Sequence, residues 1–149
     1  AAQTDEGDAL QEVMDSLTPG YQLLADFTIA RKLAEQGKNN EAEAAFLQLS
    51  DRSDIDPFYR DTALLLSVMH APDSAKSDEL LNRINSLANR AGPLQGLALE
   101  QAAGLSLKQG RIQQAADFLE KITTLNEAPS SLRQRASQLL SIVNSKVSG

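Results

Sequence analysis

The sequence predicts an all-α fold built from stacked helical hairpins, and three observations carry that expectation. Apolar residues recur at helical spacing along nearly the whole chain, with no strand-like alternation. The phrase GKNNEAEAAFLQL, which begins at Gly37, returns as GRIQQAADFLEKI at Gly110, 73 residues on. Pro57, Pro93 and Pro129 lie 36 residues apart, and Pro19 precedes Pro57 by 38. Proline fits the first turn of a helix, where its missing N–H has no partner to lose. A helix therefore opens about every 36 residues, a spacing that belongs to repeated supersecondary units.

Taken in order, the stripes predict eight helices, over about 5–17, 20–36, 39–51, 57–70, 74–90, 93–109, 112–125 and 129–145. The first carries Leu10, Val13, Met14 and Leu17, the third Ala42, Ala45, Phe46 and Leu49, and the seventh Ala115, Phe118, Leu119 and Ile122. Leu81, Ile84 and Ala88 mark the fifth; Leu132, Ala136, Leu139, Leu140 and Val143 mark the last. The stretch from Leu94 to Leu107 is apolar nearly all round, as in a helix buried between neighbours. Thr18, Asp56 and Gly92, each just before a proline, are expected N-caps. Gly37 and Gly110 are expected to supply the positive φ of helix C-caps. Gly96 and Gly104 are expected to allow close helix packing. Met14, Phe27, Phe46, Phe58, Met69 and Phe118 are expected core residues, some of them exposed at the solenoid ends, and residues 145–149 a frayed tail.

Composition narrows the function. The chain has 149 residues and a net charge of −6, with no basic run to neutralise phosphates, so nucleic acid is not an expected partner. Cysteine is absent and His70 is the one histidine, which leaves no thiolate site, no histidine pair and no catalytic constellation. No apolar run reaches the roughly 18 residues of a membrane span. The expectation is a chain with no enzymatic activity, no cofactor and no metal. Asp51, Asp54 and Asp56 resemble half a calcium loop but lack its glycine and glutamate, so they read as helix-end caps and solvated charge. His70 reads as a capping or surface histidine whose loss costs under about 1 kcal/mol.

At the repeated phrases the residues resemble the tetratricopeptide repeat. Ala30, Gly37, Ala42 and Phe46 stand where that motif has its small residue, turn glycine, alanine and large apolar residue; Ala103, Gly110, Ala115 and Leu119 occupy the same places again. Between them lies a degenerate copy, Pro57 to Ala91, whose turn His70-Ala71-Pro72-Asp73 lacks the glycine. The resemblance implies a right-handed solenoid of antiparallel hairpins with seven or eight helices, forming one domain over 1–149. Residues 1–17 would be a partial first hairpin, 20–52, 57–91 and 93–126 the hairpin repeats, and 129–145 a C-terminal capping helix.

A second resemblance spans GYQLLADFTIARKLAEQGKNNEAEAAFLQL, DIDPFYRDTALL, GPLQGLALEQAAGLSLKQG and APSSLRQRASQLLSIV. These look like the divergent repeat domain of a bacterial membrane-anchored family, common in alphaproteobacteria and similar to the ancillary, periplasmic-facing subunit of the Sec translocon. The resemblance implies a non-catalytic protein-interaction scaffold on the periplasmic side of the inner membrane. Its anchor and first helix would lie upstream of Ala1. Its partners would be translocon subunits, periplasmic chaperones or emerging chains. Aligned on the repeat turns, Phe27, Arg31 and Glu35, with Glu100, Leu107 and Lys108, are the expected groove residues, and Glu43 and Lys121 fall on the opposite, convex side. The alternative is a homo-oligomerising helical module without a peptide groove.

Overall fold

The computed structural model describes residues 9, 12, 13 and 19–148. Among them are seven full helices and no strand: α1 (Pro19–Glu35), α2 (Asn39–Ser50), α3 (Pro57–Met69), α4 (Ser77–Ala88), α5 (Gln95–Lys108), α6 (Ile112–Thr124) and α7 (Ser130–Val147). Ala9, Glu12 and Val13 are helical; the rest of the helix expected over 5–17, including Leu10, Met14 and Leu17, and the expected N-cap Thr18 lie outside the described residues.

Local chemistry accounts for three of the helix starts. Pro57 opens α3, and the Asp56 carboxylate accepts the Phe58 N–H at 2.9 Å, satisfying one of the helix's unpaired donors. Pro19 is the first residue of α1, and Pro129 stands at the N-cap of α7. Two expected starts move inward. The Gln95 N–H donates to the Gly92 carbonyl, closing a turn that holds Pro93 two residues ahead of α5; Leu94, not Gly92, is the N-cap. The Ala75 N–H donates to Pro72, and Lys76 is extended, so α4 begins at Ser77 and not at 74. At the other end, α7 continues to Val147, through most of the expected tail.

The two glycine turns are conformational copies. Gly37 has φ +76° and Gly110 φ +72°. The Gly37 N–H donates to the Ala34 carbonyl and the Lys38 N–H to the Leu33 carbonyl; Gly110 does the same to Leu107 and Arg111 to Ser106. This paired closure is the Schellman motif, which needs a left-handed residue that glycine adopts without strain. Lys38 (φ −85°, ψ 64°) and Arg111 (φ −86°, ψ 71°) then turn the chain into the next helix alike. Burial repeats as well: Ala30 and Ala103 are 0% exposed, Ala42 and Ala115 0%, Phe46 and Leu119 1%.

Each helix packs on the next, and α3 also touches α5, as α5 touches α7. The core is divided. A small cluster of Ala30, Phe46, Leu49 and Ala63 joins α1, α2 and α3, while a larger one centred on Ile84, Leu99, Leu119 and Ile122 runs from α3 to α7. Contact between α3 and α4 is the thinnest of the consecutive pairs. There, polar bonds bridge the clusters: Arg83 of α4 donates to Glu43 of α2 at 2.8 Å and to the Ser67 hydroxyl of α3 at 3.3 Å, and Arg90 pairs with Asp61. Glu43 is thus no exposed convex-face charge, because its side chain is only 18% exposed and committed to Arg83.

The glycines of α5 differ from each other. A Cβ on Gly96 would stand 2.7 Å from Leu132 Cδ2, so the close approach of α5 and α7 is real at that point. Gly104 is exposed with nothing within 4 Å, so it serves no packing contact. Eight residues at 100° per residue leave the two about 80° apart around the helix, enough to turn one away from the neighbour.

Candidate functional site

Helical spacing builds one open channel between α1 and α3. On α1, Gly20, Leu24, Phe27 and Arg31 follow at intervals of four, three and four, which places them on one face. On α3, Phe58, Thr62, Leu66 and His70 follow at intervals of four, His70 being the C-cap residue. The two rows face each other across adjoining cavities of about 320 and 420 Å³ that share Leu24 and Phe27. The first is closed by Arg31, Phe46 and His70, the second by Phe58, Tyr59 and Thr62.

The floor is aromatic. Phe46, fully buried from α2, sits 6.3 Å from the Phe27 ring and stacks on His70 at 5.6 Å with the planes 19° apart. His70 caps the C-terminus of α3, one of the two roles expected from the sequence, but it is not a detached surface side chain: it is half-buried and part of the wall. The rim stays apolar although water reaches it: Leu24 is 63%, Phe58 46% and Tyr59 45% exposed. Phe58 and Met69, expected in the core, are exposed; Phe46 is buried, and Phe27 and Phe118 are half-buried. Exposed apolar side chains are ordinary when scattered, but a contiguous set lining a concavity marks a contact surface.

Among the described residues no carboxylate lines either cavity. Asp26, on the same helix, is drawn to Arg52, which donates to it at 2.9 Å and to Asp54 at 2.7 Å. Hydrogen bonds from Arg52 hold the Asp54 carboxyl below the usual range, and Asp54 in turn raises the Arg52 guanidinium. Arg31 remains as the channel's cation. It lies 3.9 Å from Glu35, both side chains being more than 60% exposed, a pair that water screens strongly.

The other expected groove residues lie elsewhere. Glu100 of α5 holds Arg135 of α7 through both carboxylate oxygens, at 2.9–3.1 Å. Leu107 packs half-buried against the larger core, and Lys108 is exposed. Phe27 and Arg31 are thus brought together with Leu24, Phe58, Tyr59, Leu66 and His70, which the sequence did not single out as groove residues. The i+4 row from Phe58 to His70 was the available signal.

A further cleft, of about 580 Å³, lies between segments 91–97 and 124–135. Its guanidinium, Arg135, is the one already committed to Glu100. Among the described residues no group of three or more His, Asp or Glu could hold a metal ion, and no helix is long and apolar enough to cross a membrane. The chain matches no protein-family model, no curated protein and no solved structure at a significant level.

Proposed function

We propose that this chain is a non-catalytic protein-interaction module, a right-handed solenoid of helical hairpins that docks a partner segment in the α1/α3 channel. The channel carries the proposal: a concave apolar surface exposing Leu24, Phe58 and Tyr59, beside a single guanidinium. Supporting the repeat architecture are the matched turns at Gly37 and Gly110, the matched burial of the residues around them, and the alternate-helix contacts α3–α5 and α5–α7. Hairpin arrays of this kind present extended concave surfaces to partners. The sequence resemblance supports translocon subunits, periplasmic chaperones or emerging chains as those partners, on the periplasmic side of a bacterial inner membrane.

A photo-crosslinking residue placed at Tyr59 in cells, compared with one at Lys121 on α6, tests the proposal. A discrete adduct from position 59 that disappears when Leu24→Ala and Phe58→Ala are added is expected, with none from position 121. Equal adducts from both positions would place docking elsewhere or nowhere.

One observation favours a second reading, self-association. Leu139 and Ile142, three residues apart on α7, expose adjoining apolar side chains. Light scattering over a range of concentrations separates the two, since a mass that stays monomeric removes a homo-oligomer.

A further inference from the structure

The geometry points to one kind of occupant for the α1/α3 channel: an amphipathic helix of about three turns, with an acidic side chain at the end lying over Arg31 and His70. This rests on the docking function proposed above and adds the chemistry of the partner.

Length follows from the lining. Gly20 and Arg31 bound the channel on α1 and stand eleven residues apart. At about 1.5 Å per residue they span about 16 Å, or three turns of a helix lying alongside.

Conformation follows from the hydrogen-bonding groups. An extended segment brings unpaired backbone carbonyls that must find donors. The lining has three hydroxyls, and the protons of two are taken: Thr28 Oγ1 donates to the Leu24 carbonyl and Thr62 Oγ1 to the Phe58 carbonyl, each at 2.8 Å, while the Tyr59 phenol is 45% exposed at the rim. Apart from these, carbon side chains make up the walls from Phe58 to Leu66, with Arg31 and His70 at one end. A strand laid there would leave most of its carbonyls without a partner. A helix satisfies its own backbone and offers an apolar face.

Charge sets the polarity. The chain carries −6 overall, yet among the described residues no carboxylate lines the channel, because Asp26 is held by Arg52 and Glu35 lies outside the walls. An acidic side chain at the Arg31 end meets a weakly engaged guanidinium; a basic one meets like charge, which selects against it.

The test is selection of a randomised peptide library on phage against the full chain, its Arg31→Glu variant and a Leu24→Ala, Phe58→Ala variant. Leu24 and Phe58 are exposed, and circular dichroism verifies that each variant keeps its fold. The wild type should enrich sequences with apolar residues at i, i+3 or i+4, and i+7, plus Asp or Glu near one end. The best of them, made synthetically, should gain helicity on binding and lose about tenfold in affinity on Arg31→Glu. Exchanging the peptide's acid for lysine should restore binding to that variant. Groove-dependent sequences that are extended, proline-rich or indifferent to Arg31→Glu would overturn the helix and its acid while leaving docking intact. Sequences that bind the Leu24→Ala, Phe58→Ala variant undiminished, or no enrichment on the wild type, would overturn both.

Discussion

Placing alanine at Gly37, Gly110 and Gly104 separates backbone conformation from packing, because none of the three has an atom within 4 Å of the added Cβ. At Gly37 and Gly110 the methyl group has room, but φ of +76° and +72° puts an L-residue in the left-handed region, costing about 1–2 kcal/mol. Alanine's smaller unfolded-state entropy offsets part of that, so the net loss should be about 1 kcal/mol at each. The two losses should agree closely, since the turns share torsions and both closing hydrogen bonds. Gly104 lies inside α5 with no positive φ, so Gly104→Ala should stabilise by about 0.5–1 kcal/mol through helix propensity alone. Urea unfolding followed at the helical circular dichroism band measures all three. A neutral or stabilising Gly37→Ala, a Gly110→Ala differing from it by more than a kilocalorie, or a destabilising Gly104→Ala would refute the reasoning.

Phe46→Ala should destabilise by about 3–5 kcal/mol in urea melts, as deletion of a buried aromatic does, and His70→Ala by about 1–1.5 kcal/mol through loss of the stack. Equal losses would mean that His70 carries more of the small core than its half-buried position allows. Glu43→Ala should cost about 1.5–3 kcal/mol, because it strips Arg83 of a charged hydrogen-bond partner in a poorly hydrated place; the exposed Lys121→Ala should cost under about 1 kcal/mol by the same assay. Asp54 has a lowered pKa, so its pairing with Arg52 contributes fully above the ordinary aspartate value of 3.8 and is lost as pH falls through the lower folded value. Melting temperatures of Asp54→Asn should therefore fall less steeply below pH 4 than those of the native chain; parallel acid limbs would deny the coupling.

What the sequence determined by itself is what lies within a few residues along the chain. Helical periodicity, the Asp56–Pro57 start and the left-handed turns at Gly37 and Gly110 each depend on local torsions and on hydrogen bonds reaching no further than five residues, so the residue types alone specify them. The burial of Phe46 and Leu119 was legible for the same reason, as each lies on an apolar stripe that one helix face must hide. Tertiary structure decided the rest. Arg83 meets Glu43 across 40 residues, Arg52 meets Asp26 across 26, and Phe46 stacks on His70. Which side chains meet depends on how far each helix is rotated and slid against the next, a sum of many small packing terms that no single stripe contains. The same register turns Gly96 into α7 and Gly104 into solvent, though both are glycines of one helix. It also sets the α1 and α3 rows opposite each other, so the channel, with its aromatic floor and its one guanidinium, exists only once the helices are stacked.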